Sequence, residues 1–413
     1  VTSLVGAVAT LPFGILADRV RRTWTLGGAI VLWGAAMLWS ATASSFGELL
    51  VTRLFLGAVT AAAGPLVASL VGDYFASSER GRVYGFILTG ELLGAGFGFA
   101  VTGDVAALSW RAAFVILALP AFALAWLVVR LREPERGGRG FLPHATRPTP
   151  RDGDANAEEP RETDAQRLAR ERGIEPDPAL VLHGDPRRLH LIAATRYVLR
   201  VRTNIFLIAS SACGYYFLAG VQTFGSEFAK EQYGINQALA NLLLLVVGVG
   251  AVGGTLAGGA IGDRLLARGF LNGRILTAAA TAGATVLLFV PAIFTRGAVT
   301  AVPYLAAAAF MLSAQNPPLD AARLDVVPPR LWGRAEAVRT LLRSFAQALA
   351  PLLFGAVSDH VFGGGRSGLQ WTFAVMLVPL AASAWLLFRA RRHYPSDVAS
   401  AAASTGGRYA REA

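Results

Sequence analysis

The chain has 413 residues, of which 54% are hydrophobic and only 16% are charged, and its formal net charge is +11 at pH 7. Soluble domains carry roughly 45–50% apolar and about 25% charged residues, so this composition excludes an ordinary water-soluble fold. The positive charge does not indicate nucleic-acid binding, because the arginines lie in short connections between apolar segments, as in membrane proteins. We predict an all-α membrane protein whose partners are the lipid bilayer and a small molecule, with no nucleic acid.

Eleven segments are long and apolar enough to cross a bilayer, which takes about 20 residues. They lie at 1–17, 24–43, 47–72, 83–106, 111–130, 203–226, 236–261, 274–294, 299–319, 335–358 and 370–389. The single cysteine, Cys213, lies inside one of them, and the five histidines lack the spacing of metal ligands. We therefore predict neither a cofactor nor a metal, and no enzyme activity.

Arginines collect after alternate spans, which sets the predicted orientation. They follow the first, third, seventh, ninth and eleventh spans as Arg19, Arg21 and Arg22; Arg80 and Arg82; Arg264, Arg268 and Arg274; Arg323, Arg330 and Arg334; and Arg389, Arg391 and Arg392. Short cytoplasmic loops are the ones rich in arginine. We thus expect a multi-pass protein of the plasma membrane with a cytoplasmic C-terminus. Val1 would then lie outside, which suggests that one further helix precedes it.

Residues 131–202 separate two apolar bundles. Residues 131 to about 186 are rich in Pro, Arg, Glu, Asp and Gly, which predicts a largely disordered cytoplasmic linker. Residues 187–202 mix arginines with Leu, Ile and Val, which is typical of a helix on an anionic membrane surface and equally of a helical lead-in to the next span. Residues 391–413 are predicted to form a disordered cytoplasmic tail.

The bundles, residues 1–130 and 203–390, repeat two loop signatures. Gly14-Ile15-Leu16-Ala17-Asp18-Arg19 recurs as Gly259-Ala260-Ile261-Gly262-Asp263-Arg264, and Asp73 with Gly81-Arg82 recurs as Asp325 with Gly333-Arg334. The two signatures recur at nearly the same distance along the chain. They indicate duplicated halves, as in transporters built from repeats.

These motifs carry a resemblance to a known family. Gly14-x-Leu16-Ala17-Asp18-Arg19-x-x-Arg22 resembles the signature loop between helices 2 and 3 of the major facilitator superfamily, Leu49-x-x-x-Arg53-x-x-x-Gly57 resembles its helix 4 motif with Leu56 in place of the usual glutamine, and Trp110-Arg111-x-x-Phe114 matches the start of helix 6. The resemblance implies twelve helices in two pseudo-symmetric six-helix bundles. Helix 1 would be absent here, which leaves eleven visible spans.

The resemblance also implies a cytoplasmic gate. The family places the carboxylate of Asp18 at the start of helix 11, where free N–H groups and the helix dipole favour an anion. Asp263 would make the symmetric contact with helix 5, and nearby arginines can add charge-assisted bonds. The gate residues are Gly14, Asp18, Arg19, Arg22, Arg82, Gly259, Asp263, Arg264, Gly333 and Arg334. We expect both clusters to latch the outward-open state; ordinary helix caps are the alternative.

Three charged side chains lie well inside apolar spans, where charge is costly and usually faces a cavity or a partner. The resemblance assigns Arg53 to proton coupling or cavity electrostatics, with snorkelling to the surface as the alternative. Glu91 is the first candidate for a proton carrier, unless it forms a structural pair with an arginine. Arg343, on a stripe with Arg339 and Gln347, would engage either Glu91 or an anionic or amphiphilic substrate.

Polar residues near the middle of later spans predict a substrate cavity. They are Tyr215, Tyr216 and Gln222, then Gln315 and Asn316 before the Pro317-Pro318 break, and Gln347. Broken helices with polar groups often line transporter sites, although a helix kink without a ligand explains the prolines equally well.

The spacing of Gly85, Gly94, Gly98 and Gly103 resembles the helix 5 motif of drug:proton antiporters, with Phe99 and Thr102 departing from it. We therefore expect a monomeric secondary active transporter, working by alternating access, that exports a hydrophobic or amphiphilic small molecule in exchange for protons. Other regions resemble spinster-type lipid transporters, so uptake or exchange of an organic anion or a lysolipid-like substrate is the alternative. A non-transporting membrane receptor or scaffold is the alternative of another class.

Overall fold

The computed structural model describes residues 2–136 and 163–406, and every regular element in these two ranges is helical. The first half contains α1 (Thr2–Arg19), α2 (Arg22–Thr42), α3 (Phe46–Thr60), α4 (Ala63–Tyr74), α5 (Arg80–Leu108) and α6 (Trp110–Arg130). Two short helices follow, α7 (Asp164–Glu171) and α8 (Leu191–Val198). The second half contains α9 (Arg202–Tyr233), α10 (Gln237–Ala267), α11 (Gly273–Phe294), α12 (Ala298–Ala314), α13 (Asn316–Asp325), α14 (Trp332–Ala356) and α15 (Gly365–Ala390), and α16 (Tyr394–Gly406) ends the described chain.

The predicted spans coincide with long helices. Among the described residues, nine helical stretches are long and apolar enough to cross a membrane: Arg22–Thr42, Phe46–Tyr74, Trp110–Arg130, Arg202–Tyr233, Gln237–Ala267, Gly273–Phe294, Ala298–Asp325, Pro329–Val361 and Gly365–Ala390. The other two predicted spans, 1–17 and 83–106, are the helices α1 and α5. The all-α membrane fold predicted from the sequence is confirmed.

Local sequence explains where several helices start and stop. The side chain of Ser45 caps α3 by accepting the N–H of Glu48, and that of Asn236 caps α10 by accepting the N–H of Leu239. Gly234 ends α9 in the left-handed conformation, at φ 65°, which favours glycine over other residues. The Pro317-Pro318 pair stands in the first turn of α13, directly after the break from α12, where proline is well tolerated because the first N–H groups of a helix have no intrahelical partner.

The halves meet chiefly through two equivalent helix pairs. α1 packs against α14, and α5 packs against α10. The repeated signatures relate α1 to α10 and α5 to α14. The contact between α1 and α14 is therefore the equivalent, in the repeat, of the contact between α10 and α5. Within the halves, α2 packs on α6, α9 on α14 and α15, and α10 on α12. Large apolar side chains on the spans, such as Leu245, Leu287 and Leu352, are mostly exposed, as expected for lipid-facing positions.

The linker and the tail are more ordered than the composition predicts. In the described part of the linker, α7 buries Ala165 and Ala169, and the tail forms α16, which buries Tyr394 and Val398 and packs against α7 and α9. The predictions of a largely disordered linker and of a disordered tail are therefore wrong for residues 164–171 and 394–406. Small or isolated apolar residues suffice here because each helix needs only one face to dock. Residues 137–162 and 407–413, which the two predictions also cover, lie outside the described residues.

Candidate functional site

α1 and α14 meet at a buried carboxylate, and we call this contact the first junction (Asp18, Gly333 and Arg334). Oδ1 of Asp18 accepts the backbone N–H of Gly333 at 2.9 Å, and Oδ2 accepts the backbone N–H of Arg334 at 3.2 Å and its Nε at 2.7 Å. Because α14 begins at Trp332, these amides lack intrahelical partners, and the helix dipole favours an anion there. The contact predicted for Asp18 is present, and it joins the two halves.

Glycines allow the helices to come this close. A Cβ atom on Gly14 would lie 2.6 Å from the Cβ of Ala337 and 3.0 Å from the carbonyl oxygen of Gly333. A Cβ atom on Gly333 would lie 2.7 Å from Oδ1 of Asp18. Any side chain at either position would therefore push α1 and α14 apart.

Arg334 also ties the first junction to the linker. Its Nη1 donates to the carbonyl of Leu189 at 2.7 Å, and its Nη2 donates to the carbonyl of Pro186 at 3.0 Å. An ion pair of 3.2 Å between Arg330 and Asp185 lies beside them. The guanidinium is only 1% exposed, and carbonyl oxygens satisfy the donors that Asp18 does not. The segment before α8 is thus part of this junction.

The second junction (Gly81, Arg82, Asp263 and Arg274) repeats this geometry between α5 and α10. Oδ1 of Asp263 accepts the backbone N–H of Gly81 at 3.2 Å, and Oδ2 accepts that of Arg82 at 2.7 Å. A Cβ atom on Gly259 would overlap the carbonyl of Gly81, so the close approach again requires glycine. The symmetric contact predicted for Asp263 is present.

The arginine of the second junction is Arg274, which is not among the predicted gate residues. Its guanidinium is fully buried and lies 2.6 Å from both Asp263 and Asp325. It also donates to the carbonyl of Ser77, in the opposite half. The predicted partner, Arg264, is exposed instead, because it follows Asp263 directly and so points to a different face of α10.

The side chains of three other predicted gate arginines also lie outside the junctions. Arg22 binds Asp73 and, at 2.7 Å, Glu133, so the prediction that it joins Asp18 is wrong; Arg22 starts a new helix and points into its own half. Burial acts to raise the pKa of Glu133, but hydrogen bonds from Thr23 and Arg22 outweigh it and hold that pKa below its usual value. The side chains of Arg19 and Arg82 are exposed.

Next to the first junction lies a buried group of four charges, Asp320, Arg323, Glu336 and Arg339, which we call the charge quartet. Arg323 lies 2.5 Å from Glu336 and 3.4 Å from Asp320, and Arg339 lies 2.7 Å from Glu336 and 2.9 Å from Asp320. Two positive and two negative groups alternate, so the quartet is neutral. Its sequence signal is two acid-x-x-Arg pairs at helical spacing. Of the four residues, the predictions placed only Arg339 near the cavity, and Arg323 was counted among the loop arginines.

One turn beyond Arg339, the guanidinium of Arg343 stacks over the ring of Tyr215 at 4.2 Å. Its charge acts on Glu91, which lies exposed on α5. No ion pair joins Arg343 to Glu91 in the described ranges. The structure therefore brings these three predicted residues into one neighbourhood but leaves Glu91 open to a proton or a ligand.

Arg53 lies apart from that neighbourhood. Its guanidinium donates to the hydroxyl of Ser40 and lies 4.7 Å from the ring centroid of Phe114. It makes no ion pair with any described acidic residue, and its Nε is buried without a hydrogen-bond partner. Arg53 thus connects α2, α3 and α6 within the first half.

The other predicted cavity residues differ in how far their side chains are buried. Gln315 is 2% exposed, and its Oε1 has no partner among the described residues. The hydroxyl of Tyr216 donates to the sulfur of Met376 at 3.1 Å, inside the second half. Gln222 is exposed, whereas Asn316 and Gln347 are half-buried. Among the predicted cavity residues, Tyr215 contacts a predicted coupling residue, Arg343.

The fold and its junctions define a helical membrane protein of two repeated halves held together at one end. Residues 1–310 match the family model described as Major Facilitator Superfamily, and the chain belongs to that family. It is a multi-pass membrane protein.

Known proteins similar to this chain include two relatives and one solved structure. Human protein spinster homolog 1 is 30% identical to this chain over a match that covers 30% of this chain and 25% of that protein. The probable L-galactonate transporter of Escherichia coli (strain K12) is 28% identical over a match that covers 32% of this chain and 30% of that protein. The matches thus span about a quarter to a third of these relatives. The E. coli fucose:proton symporter structure superimposes with a TM-score of 0.65 at 14% identity, over 94% of this chain and 89% of its own.

Proposed function

We propose that the chain is a monomeric secondary active transporter that works by alternating access, and that the two junctions latch one end of the molecule shut. The observation that carries the proposal is the pair of buried carboxylates, Asp18 and Asp263, each bound to backbone amides of the opposite half. Rocking of the halves about a central site has to break these contacts. Repeated halves that move in this way are common in secondary transporters.

The energy of the junctions suits a reversible latch. A carboxylate at a helix N-terminus contributes up to about 2 kcal/mol in a partly buried site, and charge-assisted bonds add to it. A total of about 1–3 kcal/mol would bias the two states without locking one of them. Because arginines collect at this end, we assign it to the cytoplasm, so the latched state is outward-open and the C-terminus is cytoplasmic.

For the cargo, we propose export of a hydrophobic or amphiphilic small molecule in exchange for protons. Glu91 is the proposed proton carrier, because it lies exposed near Arg343 without an ion pair in the described chain. The test is flux of ethidium and of a fluorescent lysophospholipid in proteoliposomes under an imposed pH gradient. Glu91→Gln should abolish proton-driven flux and keep cargo binding. Wild-type pH dependence in that variant would remove Glu91 from the mechanism.

A second candidate is uptake or exchange of an organic anion, favoured by Arg343. Its guanidinium stacks on Tyr215 and makes no ion pair among the described residues, so a carboxylate can bind there. One relative carries a name that refers to L-galactonate, a sugar acid. Radiolabelled L-galactonate flux, compared between the wild type and Arg343→Gln, decides between the candidates. Loss of flux in the variant favours the anion, and no flux in either protein excludes L-galactonate.

The latch itself is tested by measuring distances at both ends. Replacing Cys213 with serine gives a cysteine-free background, and spin labels at Val20 and Phe270 then report on the junction end, and labels at Phe46 and Val361 on the other. All four positions are exposed. The Asp18→Asn/Asp263→Asn double variant should lengthen the first distance, shorten the second and alter flux. Asp177→Asn, which changes a carboxylate outside both junctions, is the matched control. Unchanged distances and flux in the double variant would refute the latch.

A further inference from the structure

At the junction end of the second half lies a cavity of about 420 Å³ that opens to the surface. It is walled by the linker, the turn between α8 and α9, and the start of α16. Its charged or aromatic lining residues are Asp177, Arg200, Arg202, His393 and Asp397. None of them belongs to either junction or to the charge quartet. The cavity therefore needs its own explanation.

The acidic groups of this cavity are already bound, and the basic ones are not. Oδ2 of Asp397 accepts the backbone N–H of Thr203 at 2.8 Å, which caps α9, and Oδ1 of Asp177 accepts the N–H of Ala179 at 3.0 Å. Arg200 and Arg202 are exposed, and neither makes an ion pair within residues 2–136 and 163–406. The hydrogen-bond donors of the cavity that remain free among the described residues are thus those of the two guanidinium groups.

The position of the cavity relates it to the membrane surface. Arg202 is the first residue of the spanning helix α9, and His393 follows the spanning helix α15 by three residues. Lipid headgroups lie at this level, where the hydrocarbon ends. The ring of His393 stacks on that of Phe206 at 6.1 Å, one turn inside α9, so the floor of the cavity faces the protein core.

The neighbouring helix α8 has two different faces. Ala194 and Tyr197 are buried against the protein, whereas Ile192 is 67% and Leu199 38% exposed. Exposed aliphatic side chains beside exposed arginines are typical of a helix lying in the interface of an anionic membrane. One face of α8 thus docks on the protein and the other remains free, and the membrane-surface interpretation of residues 187–202 stays a prediction.

We propose that this cavity binds the headgroup of an anionic phospholipid, with its phosphate between Arg200 and Arg202 and its acyl chains beside Ile192 and Leu199. Guanidinium groups bind phosphate oxygens in bidentate geometry, and basic pockets beside spanning helices suit anionic headgroups. The bound lipid would contact the linker, α9 and α16 at once. It would thereby fasten the linker and the tail to the second half.

Native mass spectrometry of the full chain in detergent tests the proposal. Phosphatidylglycerol should bind the wild type more tightly than phosphatidylcholine. Each arginine near the surface contributes about 1 kcal/mol, so Arg200→Gln/Arg202→Gln should weaken phosphatidylglycerol binding about thirtyfold. Arg200→Lys/Arg202→Lys keeps the charge and should retain most of the affinity. Arg268→Gln removes an exposed arginine outside the cavity and should change nothing.

Three outcomes would overturn the proposal. They are equal phosphatidylglycerol binding by the wild type and the double Gln variant, equal binding of the two lipids by the wild type, and full displacement of the lipid by millimolar inorganic phosphate, which would identify a site for a soluble anion. The single variants Arg200→Gln and Arg202→Gln serve if the double variant is not monodisperse. Both positions are exposed, so we expect the single variants to fold.

Discussion

The two junctions share one geometry and differ in the source of their arginine. In both, a carboxylate at the end of a helix binds the first amides of a helix in the opposite half. The arginine that pairs with Asp18 is Arg334, from the opposite half, whereas the arginine that pairs with Asp263 is Arg274, from the same half. The repeat has therefore conserved the helix cap and changed the ion pair.

This difference predicts different energetic roles. Separating the halves at the first junction separates two opposite charges, Asp18 and Arg334, and Coulomb attraction in a buried site opposes that. At the second junction Asp263 would keep Arg274, and the halves would lose the hydrogen bonds to Gly81, Arg82 and Ser77. The charges that separate there, Arg80 and Asp325, lie farther apart, at 3.7 Å, than the 2.7 Å between Asp18 and Arg334. We expect the first junction to control opening and the second to control the stability of the second half.

The largest expected effect is on stability, from Arg274→Gln. The substitution leaves Asp263 and Asp325 buried without the guanidinium that now lies 2.6 Å from each. Breaking a buried ion pair by removing one partner costs about 3–5 kcal/mol. The check is the free energy of unfolding in detergent, with Arg264→Gln as a control because Arg264 is exposed. A loss below about 1 kcal/mol would mean that the second junction does not stabilise its half.

The second largest effect is expected on the opening equilibrium, where Asp18→Asn and Asp263→Asn compare the two junctions. Asp18→Asn removes the charge opposite Arg334, while carbonyls of Pro186 and Leu189 still accept from the guanidinium. We expect the equilibrium to move toward opening by about 1–3 kcal/mol, measured as the label distance between Val20 and Phe270. Asp263→Asn should move it less. A larger shift from Asp263→Asn would reverse the assignment of roles.

A third prediction tests the steric part of both junctions. Gly14→Ala and Gly259→Ala each place a Cβ atom inside van der Waals contact with the opposite half. Overpacking of this kind costs typically about 1–3 kcal/mol, and Gly259→Ala should cost more because its Cβ meets a backbone carbonyl directly. Gly28→Ala is the control, since nothing lies within 4 Å of that position. The measurement is the same label distance, and equal values for all three variants would contradict close packing.

The smallest effect is expected from Asp185→Asn in the linker. Its ion pair with Arg330 is partly exposed, with 29% and 39% of the two side chains accessible. Such pairs contribute about 0–1 kcal/mol, and salt screens them. The free energy of unfolding, and the opening equilibrium reported by the label distances, should each change by no more than about 0.5 kcal/mol. A larger change would show that the linker holds the first junction through side chains rather than through its carbonyls.

The spans and the two capping carboxylates could be predicted because both leave a linear signal. The length of an apolar segment identifies a span, and the recurrence of Gly-x-x-x-Asp in both halves identified Asp18 and Asp263 together. The partner of Asp263 left no such signal. Arg274 lies eleven residues further along the chain and reaches the carboxylate only because a turn brings the start of α11 back beside the end of α10.

Burial of charge was the second feature that the sequence could not reveal. Asp320, Arg323 and Glu336 stand near helix ends, where charges are usually solvated, so they look like loop residues. Their burial depends on α13 and α14 packing against α4 and α5, which are distant in sequence. The prediction of a disordered tail was wrong for the same reason. The apolar face of α16 is short, and it is buried only because α7 and α9 pack against it.

The tail has a practical consequence for anyone who shortens this chain for purification. The hydroxyl of Tyr394 donates to Asp325 at 2.8 Å, and Asp397 caps the helix that opens the second half. Trimming at Ala390, where the last span ends, would look harmless in a hydropathy plot. It would in fact remove the hydrogen bond from Tyr394 to Asp325, the carboxylate that pairs with Arg274, and it would remove the cap of α9. Any fusion partner should therefore follow Gly406.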